Sequence, residues 1–176
     1  MFLVLLSDNE HFADENMKGI LCLLLMPWHV DPQSVFINIG STTAVCSDPM
    51  GCELQCDGVS ACAEGSFECV DTAICNVDCT GRLGCSGTSI TVTANNTATS
   101  ANILCHDNGV SLCDSLSVSL LSPAQPSNLS FTCAFTGNGV GCGDVVMDCN
   151  TMNGECLTDC DPVSDCQVEA HSLCLL

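Results

Sequence analysis

The chain is poor in the side chains from which most globular cores and charged binding surfaces are built. Tyr is absent and Trp28 is the only tryptophan, which excludes a large aromatic core. Only Lys18 and Arg82 are basic, against 21 acidic residues, and the formal net charge is −19. A chain this acidic is repelled by nucleic acid and by anionic membranes, so neither is expected as a partner. No apolar run reaches the roughly 18 residues that a membrane-spanning helix needs.

Cysteine, by contrast, is abundant. It makes up 18 of the 176 residues, the level found in disulfide scaffolds. Cytosolic thiols are kept reduced, so paired cysteines predict a secreted or extracellular protein. Two sequons for N-glycosylation, at Asn95 and Asn128, agree with a secretory route. We therefore expect small side chains and cross-links to stabilise the fold in place of a bulky core.

The first 33 residues do not share the pattern of the remaining chain. Within them, residues 17–26 resemble the charged and apolar regions of a signal peptide, although no small-residue cleavage site follows. The segment 1–33 is thus expected to be a signal-like stretch or an N-terminal cap, or the chain is part of a longer one. Residues 34–176 are expected to form one cysteine-rich repeat domain.

That domain repeats at intervals of 23–29 residues, measured between equivalent cysteines. A short alternating segment precedes each of these cysteines, as in CELQC at 52–56, and a second one follows, as in SITVT at 89–93. Period-two alternation predicts strands with one buried face, and a fixed period of this length predicts a solenoid. The aligned cysteines are Cys62, Cys85, Cys113, Cys142 and Cys166.

These features predict an all-β solenoid of about five coils, where a coil is one period of the repeat. Over residues 35–174 the chain resembles cysteine-rich members of the right-handed parallel β-helix, or pectate-lyase-like, group. The resemblance implies a right-handed parallel β-helix in which each strand pairs with its equivalent one coil away. Because it rests on period and pattern, the resemblance implies a fold and no activity.

The cysteines recur in linked pairs, which predicts disulfides inside each coil. Val92 and Ala101 replace both members of one pair together, and Leu120 and Leu129 replace both members of the next. Joint gain and loss indicates contact. The eight predicted pairs are Cys46–Cys52, Cys56–Cys62, Cys69–Cys75, Cys79–Cys85, Cys105–Cys113, Cys133–Cys142, Cys149–Cys156 and Cys160–Cys166, with Cys22 and Cys174 left over.

Three other arrangements of the cysteines are open at this point. Stacked cysteines on neighbouring coils would pair along the axis, but parallel strands lie about 4.8 Å apart and bridged Cβ atoms about 3.8 Å. Buried reduced thiols are the second alternative. A metal–thiolate protein is the third, although the spacings are not the C-x2-C pairs of zinc sites.

The sequence contains no evident catalytic constellation, and no enzyme or cofactor is expected. A polysaccharide lyase needs a strong base, and Arg82 is the only basic residue of the repeat domain. A hydrolase needs carboxylates about 5–10 Å apart in one groove, and Asp144, Asp148 and Asp159 are the candidates for such a cluster. A weak calcium site is conceivable in the last turn, where oxygen ligands come from Asp159, Asp161 and Asp165.

From these observations we expect a non-catalytic structural or adhesive extracellular repeat protein. The alternative is a carbohydrate-active or carbohydrate-binding β-helix protein, which would need converging carboxylates in a groove. Expected partners are extracellular proteins or polysaccharides.

Overall fold

The described chain consists of short strands that alternate between two sheets. The computed structural model describes residues 34–107, 111–135, 141–151, 154–160 and 168–172. These residues contain no helix and form twelve strands. The strands are β1 Ser34–Ile37, β2 Thr43–Cys46, β3 Cys52–Cys56, β4 Ser66–Val70, β5 Ile74–Cys79, β6 Ser89–Thr93, β7 Ser100–Asp107, β8 Ser117–Ser122, β9 Asn128–Phe135, β10 Val145–Thr151, β11 Cys156–Cys160 and β12 Val168–Ser172.

Each sheet is parallel throughout and stacks one strand from every coil. Sheet A has the order β1-β3-β5-β7-β9-β11, and sheet B has the order β12-β10-β8-β6-β4-β2. Equivalent residues pair in register, as Leu54 does with Val77 and Val77 with Ile103. The predicted all-β parallel solenoid is confirmed, with a coil number near the predicted five. Its right-handed sense stays a prediction.

The two sheets face each other across a narrow core of stacked apolar ladders. Phe36 of sheet A and Phe67 of sheet B meet edge to face, with ring centroids 5.5 Å apart. Alternation along each strand explains the ladders, because every second side chain points between the sheets. The central ladder of sheet A is Leu54, Val77, Ile103 and Phe131, and that of sheet B is Phe67, Ile90, Val118 and Met147, all buried.

Disulfides close the core along both edges where the chain passes from one sheet to the other. On the edge that leads from sheet A to sheet B, every coil from β3 to β9 has a bridge. On the opposite edge the central coils lack one. There Cys69 is in register with Val92, and Cys75 with Ala101. Apolar contacts thus occupy the space that sulfur fills in the outer coils.

The turns that lead from sheet A to sheet B repeat an unusual backbone conformation. Positive φ angles occur two residues before and two residues after the second cysteine of the bridge. A left-handed conformation ordinarily favours glycine. Most of these residues are not glycine, so the positive φ angles of the turn cannot be predicted from the residue types. The residues are Ser60, Glu64, Leu83, Gly87, Ser111, Ser115 and Asp144.

Candidate functional site

Seven disulfides join cysteines that the sequence pairs with each other. Their sequence separations are 6 to 9 residues. Cys160 is also disulfide-bonded, while its expected partner Cys166 lies outside the described residues, as do Cys22 and Cys174. The bridges are Cys46–Cys52, Cys56–Cys62, Cys69–Cys75, Cys79–Cys85, Cys105–Cys113, Cys133–Cys142 and Cys149–Cys156.

Sulfur atoms of neighbouring bridges approach one another closely enough to resemble a metal site. In one group Cys56, Cys62 and Cys85 lie with their sulfurs within 4.8 Å of each other. Each of these sulfurs is already bonded in a disulfide. A metal ligand must be a thiolate, so the group is a stack of cross-links and not a ligand set.

The carboxylates that the sequence offered for hydrolysis do not converge. Asp148 lies on β10 and is exposed on the outer surface of sheet B, whereas Asp159 lies on β11 and is exposed on that of sheet A. The two strands of a coil belong to different sheets, so Asp148 and Asp159 do not share one groove. Of the calcium candidates, Asp159 is described and exposed, and Asp161 and Asp165 lie outside the described residues.

The outer surface of sheet A is mostly polar over its central coils, where Leu104 is an exposed apolar residue. We call the polar side chains of this surface the polar face. Asn102 donates from its amide to Oδ1 of Asn76 at 3.0 Å, and Gln55 donates to Oε1 of Glu53 at 2.6 Å. Alternation along β3, β5 and β7 places these side chains outward. The polar face consists of Glu53, Gln55, Asp57, Asn76, Asp78, Thr80, Asn102 and His106.

One side-chain hydrogen bond on the polar face links two neighbouring coils. Nε2 of His106 lies 2.9 Å from Oδ1 of Asp78, and both side chains are about half exposed. No motif in the sequence predicted this contact between His106 and Asp78. Aligning Cys79 with Cys105 is the signal that finds it, because Asp78 precedes the first cysteine and His106 follows the second.

Two open depressions lie side by side on the polar face. One has a volume of about 280 Å³ and is lined by Gln55, Asp57 and Thr80 among others. The other has about 260 Å³, and Leu104 provides its apolar lining. Asp78 borders both. Carboxylate and amide groups here can exchange hydrogen bonds with a polar ligand, but neither depression encloses it away from water.

The two sequon asparagines are exposed on the edge where the chain returns from sheet B to sheet A. Asn95 lies in the turn after β6, and Asn128 is the first residue of β9. Oδ1 of Asn128 accepts a hydrogen bond from the backbone N–H of Glu155 at 3.0 Å. Asn95 donates its backbone N–H to Asp71 at 2.7 Å. Neither bond uses the amide nitrogen to which a glycan would attach.

Asp71 fastens this edge to the next coil. Its carboxylate accepts the backbone N–H of Asn96 at 2.8 Å and the side-chain amide of Asn96 at 2.8 Å, besides the bond from Asn95. Hydrogen bonds to the charged form favour ionisation. The backbone bond from Asn96, followed by the side-chain bond, therefore holds the pKa of Asp71 below its ordinary value.

Within the described residues there is no helix of the length and hydropathy that a membrane span requires. Comparisons of the chain with protein-family models, with curated proteins and with solved structures find no match.

Proposed function

We propose that this protein is a non-catalytic structural or adhesive repeat protein of the extracellular space. The observation that carries the proposal is the pair of disulfide rows that close the core. Disulfides in such number indicate an oxidising environment. Stacked ladders and cross-links fill the interior of the repeat domain, so its surface is what remains available for contact.

The polar face supports the non-catalytic part of this proposal. Glu53, Asp57 and Asp78 belong to an open surface and keep contact with water. General acid–base catalysis relies on groups whose pKa values are tuned by burial and by exclusion of water. A solvated carboxylate surface instead contributes solubility and repels other acidic molecules.

The experiment is an activity screen with a matched variant. The purified, oxidised chain is incubated with neutral and acidic polysaccharides, and the release of reducing ends or unsaturated products is measured. We expect no turnover above that of the Asp78→Asn and His106→Gln variants. Turnover that those variants lose would overturn the proposal and would place catalysis on the polar face.

A carbohydrate-binding role is the second candidate, and the depressions bordered by Asp78 favour it. Their amide and carboxylate groups suit the hydroxyl groups of a sugar, and Leu104 offers an apolar contact. Calorimetric titration with oligosaccharides tests this role. Binding that Asn76→Leu abolishes, and that Ser119→Leu on the opposite sheet leaves unchanged, would support it.

Secretion and N-glycosylation complete the proposal. Asn95 and Asn128 are both exposed, as acceptor sites must be. The signal-like residues 17–26 and the whole segment 1–33 lie outside the described residues. Expression in a eukaryotic secretory host should yield protein in the medium whose mass falls after enzymatic removal of N-glycans. The Asn95→Gln and Asn128→Gln variants should each lose one glycan, and full-length protein retained in the cytosol with free thiols would contradict secretion.

A further inference from the structure

In one outward-facing register column of sheet A, the end strands carry exposed apolar side chains where the central strands carry polar ones. Val35 of β1 is 50% exposed and Leu157 of β11 is 57% exposed, and both point outward in the same register column. The residues between them in that column are Glu53, Asn76, Asn102 and Ser130. Apolar surface is thus concentrated at the two ends of the column.

The same strands are the edges of their sheet. Within the described residues, β1 pairs with β3 alone and β11 with β9 alone. On β1, the N–H of Ser34 donates to Gly51 at 3.1 Å and that of Asn38 donates to Gln55 at 2.9 Å. Because backbone groups alternate in direction along a strand, the N–H groups of Val35 and Ile37 point away from β3, to an edge with no paired strand in the described part of the chain. An open edge is a template for pairing with another chain.

We propose that copies of this chain stack end to end, with β11 of one copy pairing in parallel with β1 of the next. Every coil already pairs with its neighbour in this way, so a second copy would continue an interface that the chain itself contains. The register then places Leu157 beside Val35, and Thr158 beside Phe36. Such a head-to-tail contact does not close on itself and extends into a filament.

The interior positions at the two ends agree with this register. Thr158 occupies the ladder position of Leu54 and Phe131, yet it is exposed. In the stacked arrangement it would be covered by Phe36. Sheet B would continue likewise, with β12 pairing with β2. The inference rests on the proposed structural role, to which it gives a physical form.

The negative charge of the chain opposes stacking, so stacking should depend on salt concentration in a characteristic way. Each copy has a net charge of −19, so the copies repel one another. The screening length falls from about 30 Å at 0.01 M salt to about 10 Å at 0.1 M. End-to-end association should therefore increase with ionic strength. Contacts dominated by exposed ion pairs would instead weaken as salt is added.

Sedimentation velocity of the full, oxidised chain tests the inference. The wild type should sediment as multimers whose mass rises with protein concentration and with sodium chloride. Val35→Glu and Leu157→Glu should each shift the protein to the monomer mass. Leu104→Glu is the matched control, because Leu104 is 36% exposed on the outer surface of the central strand β7 and the charge change is identical. It should associate like the wild type.

A second variant tests the backbone pairing. Ile37→Pro removes an N–H that points to the open edge and leaves the bonds of Ser34 and Asn38 to the adjacent coil in place. It should lose association while its far-UV spectrum and its thiol count stay those of the wild type. A wild type that is monomeric at every salt and protein concentration would overturn stacking, as would association that the Val35→Glu, Leu157→Glu and Ile37→Pro variants all retain. Either result leaves the non-catalytic function standing, since activity on polysaccharides is measured separately.

Discussion

Oγ1 of Thr99 donates a hydrogen bond to the carbonyl oxygen of Thr72, one coil away, at 2.6 Å, and both residues are fully or almost fully buried. The contact belongs to a column of buried hydroxyls on the edge where the central coils lack disulfides. The backbone N–H of Thr99 donates to Oγ of Ser127 at 3.0 Å, and Oγ of Ser127 lies 2.8 Å from that of Ser122. Hydrogen bonds between coils thus hold these turns in place of covalent bridges.

Replacing Thr99 by Val should lower the free energy of unfolding by about 1–3 kcal/mol. Valine has the same shape but leaves the buried carbonyl of Thr72 without its donor, and an unpaired buried acceptor carries that penalty. Urea denaturation with the disulfides intact measures the change. The matched control is Thr91→Val on the outer surface of β6, where a change within about 0.5 kcal/mol is expected. Equal losses in both variants would contradict the role of the hydroxyl column.

The sequence predicts the strands and bridges because both repeat. Alternation places Leu54 and Val77 inside, and the joint replacement of Cys69 and Cys75 by apolar residues one coil later identifies a disulfide. The hydroxyl column was not predictable in this way. Thr99 and Ser127 each stand directly before a strand and Thr72 stands two residues before one. Ser and Thr are common turn residues, so their burial is not evident from the sequence.

The candidate site likewise has features that the sequence predicts and features that it does not. Outward alternation predicts that Asn76 and Asp78 are solvated, and they are. The sequence does not reveal that the two strands of a coil enter separate sheets with opposite outer surfaces. For that reason Asp148 and Asp159 were candidates for one cluster, although the solenoid places them on different sheets. Neighbours in space along the axis, such as Asp78 and His106, become visible only once the coils are in register.

A double variant, Cys69→Val with Cys75→Ala, should fold and lose about 2 kcal/mol of stability. Valine and alanine occupy the equivalent positions one coil away, as Val92 and Ala101, where they pack without a bridge. The loss reflects the loop entropy that a bridge of this span removes from the unfolded chain. Denaturation without reductant measures it, with a thiol titration to show that the remaining bridges are intact.

The contrasting variant is Cys56→Val with Cys62→Ala on the opposite edge. No described coil from β3 to β9 lacks a bridge there. The sulfurs of Cys56 and Cys62 also lie within 4.8 Å of that of Cys85 in the adjacent bridge. We therefore expect a larger loss of stability than for the first pair, because packing is lost together with the cross-link. A smaller loss would show that the stacked sulfurs contribute little.

Trypsin offers a test of the bridge between Cys79 and Cys85, because Arg82 lies in the loop that it closes. Lys18 and Arg82 are the only basic residues of the chain. Cleavage of the denatured, unreduced protein after Arg82 should leave the two pieces joined, and reduction should separate them. Gel electrophoresis with and without reductant reads the result. In the Cys79→Ser, Cys85→Ser control the pieces should separate without reduction, and wild-type pieces that do so would refute the pairing.

Asp71 should make the stability of the solenoid depend on pH at the acidic end. Its pKa is lowered in the folded chain, chiefly by the backbone bond from Asn96, so the unfolded chain binds the proton more readily. The stabilisation is then fully present above the ordinary carboxyl pKa of about 3.9 and is lost as the pH falls through the lowered value. Asp71→Asn should therefore be less stable than the wild type near neutral pH, and the difference should vanish in strong acid.

The asparagine variant isolates the charge because it preserves the backbone. Asp71 has a φ of 49°, and asparagine tolerates this left-handed conformation as readily as aspartate does. Denaturation midpoints of both proteins, followed from neutral pH into acid, measure the difference. Asp148→Asn is the control, since the side chain of Asp148 is exposed on β10 and has no hydrogen-bond partner among the described residues. A pH-independent difference at Asp71 would show that the bonds to Asn95 and Asn96 act through shape alone and not through the carboxylate charge.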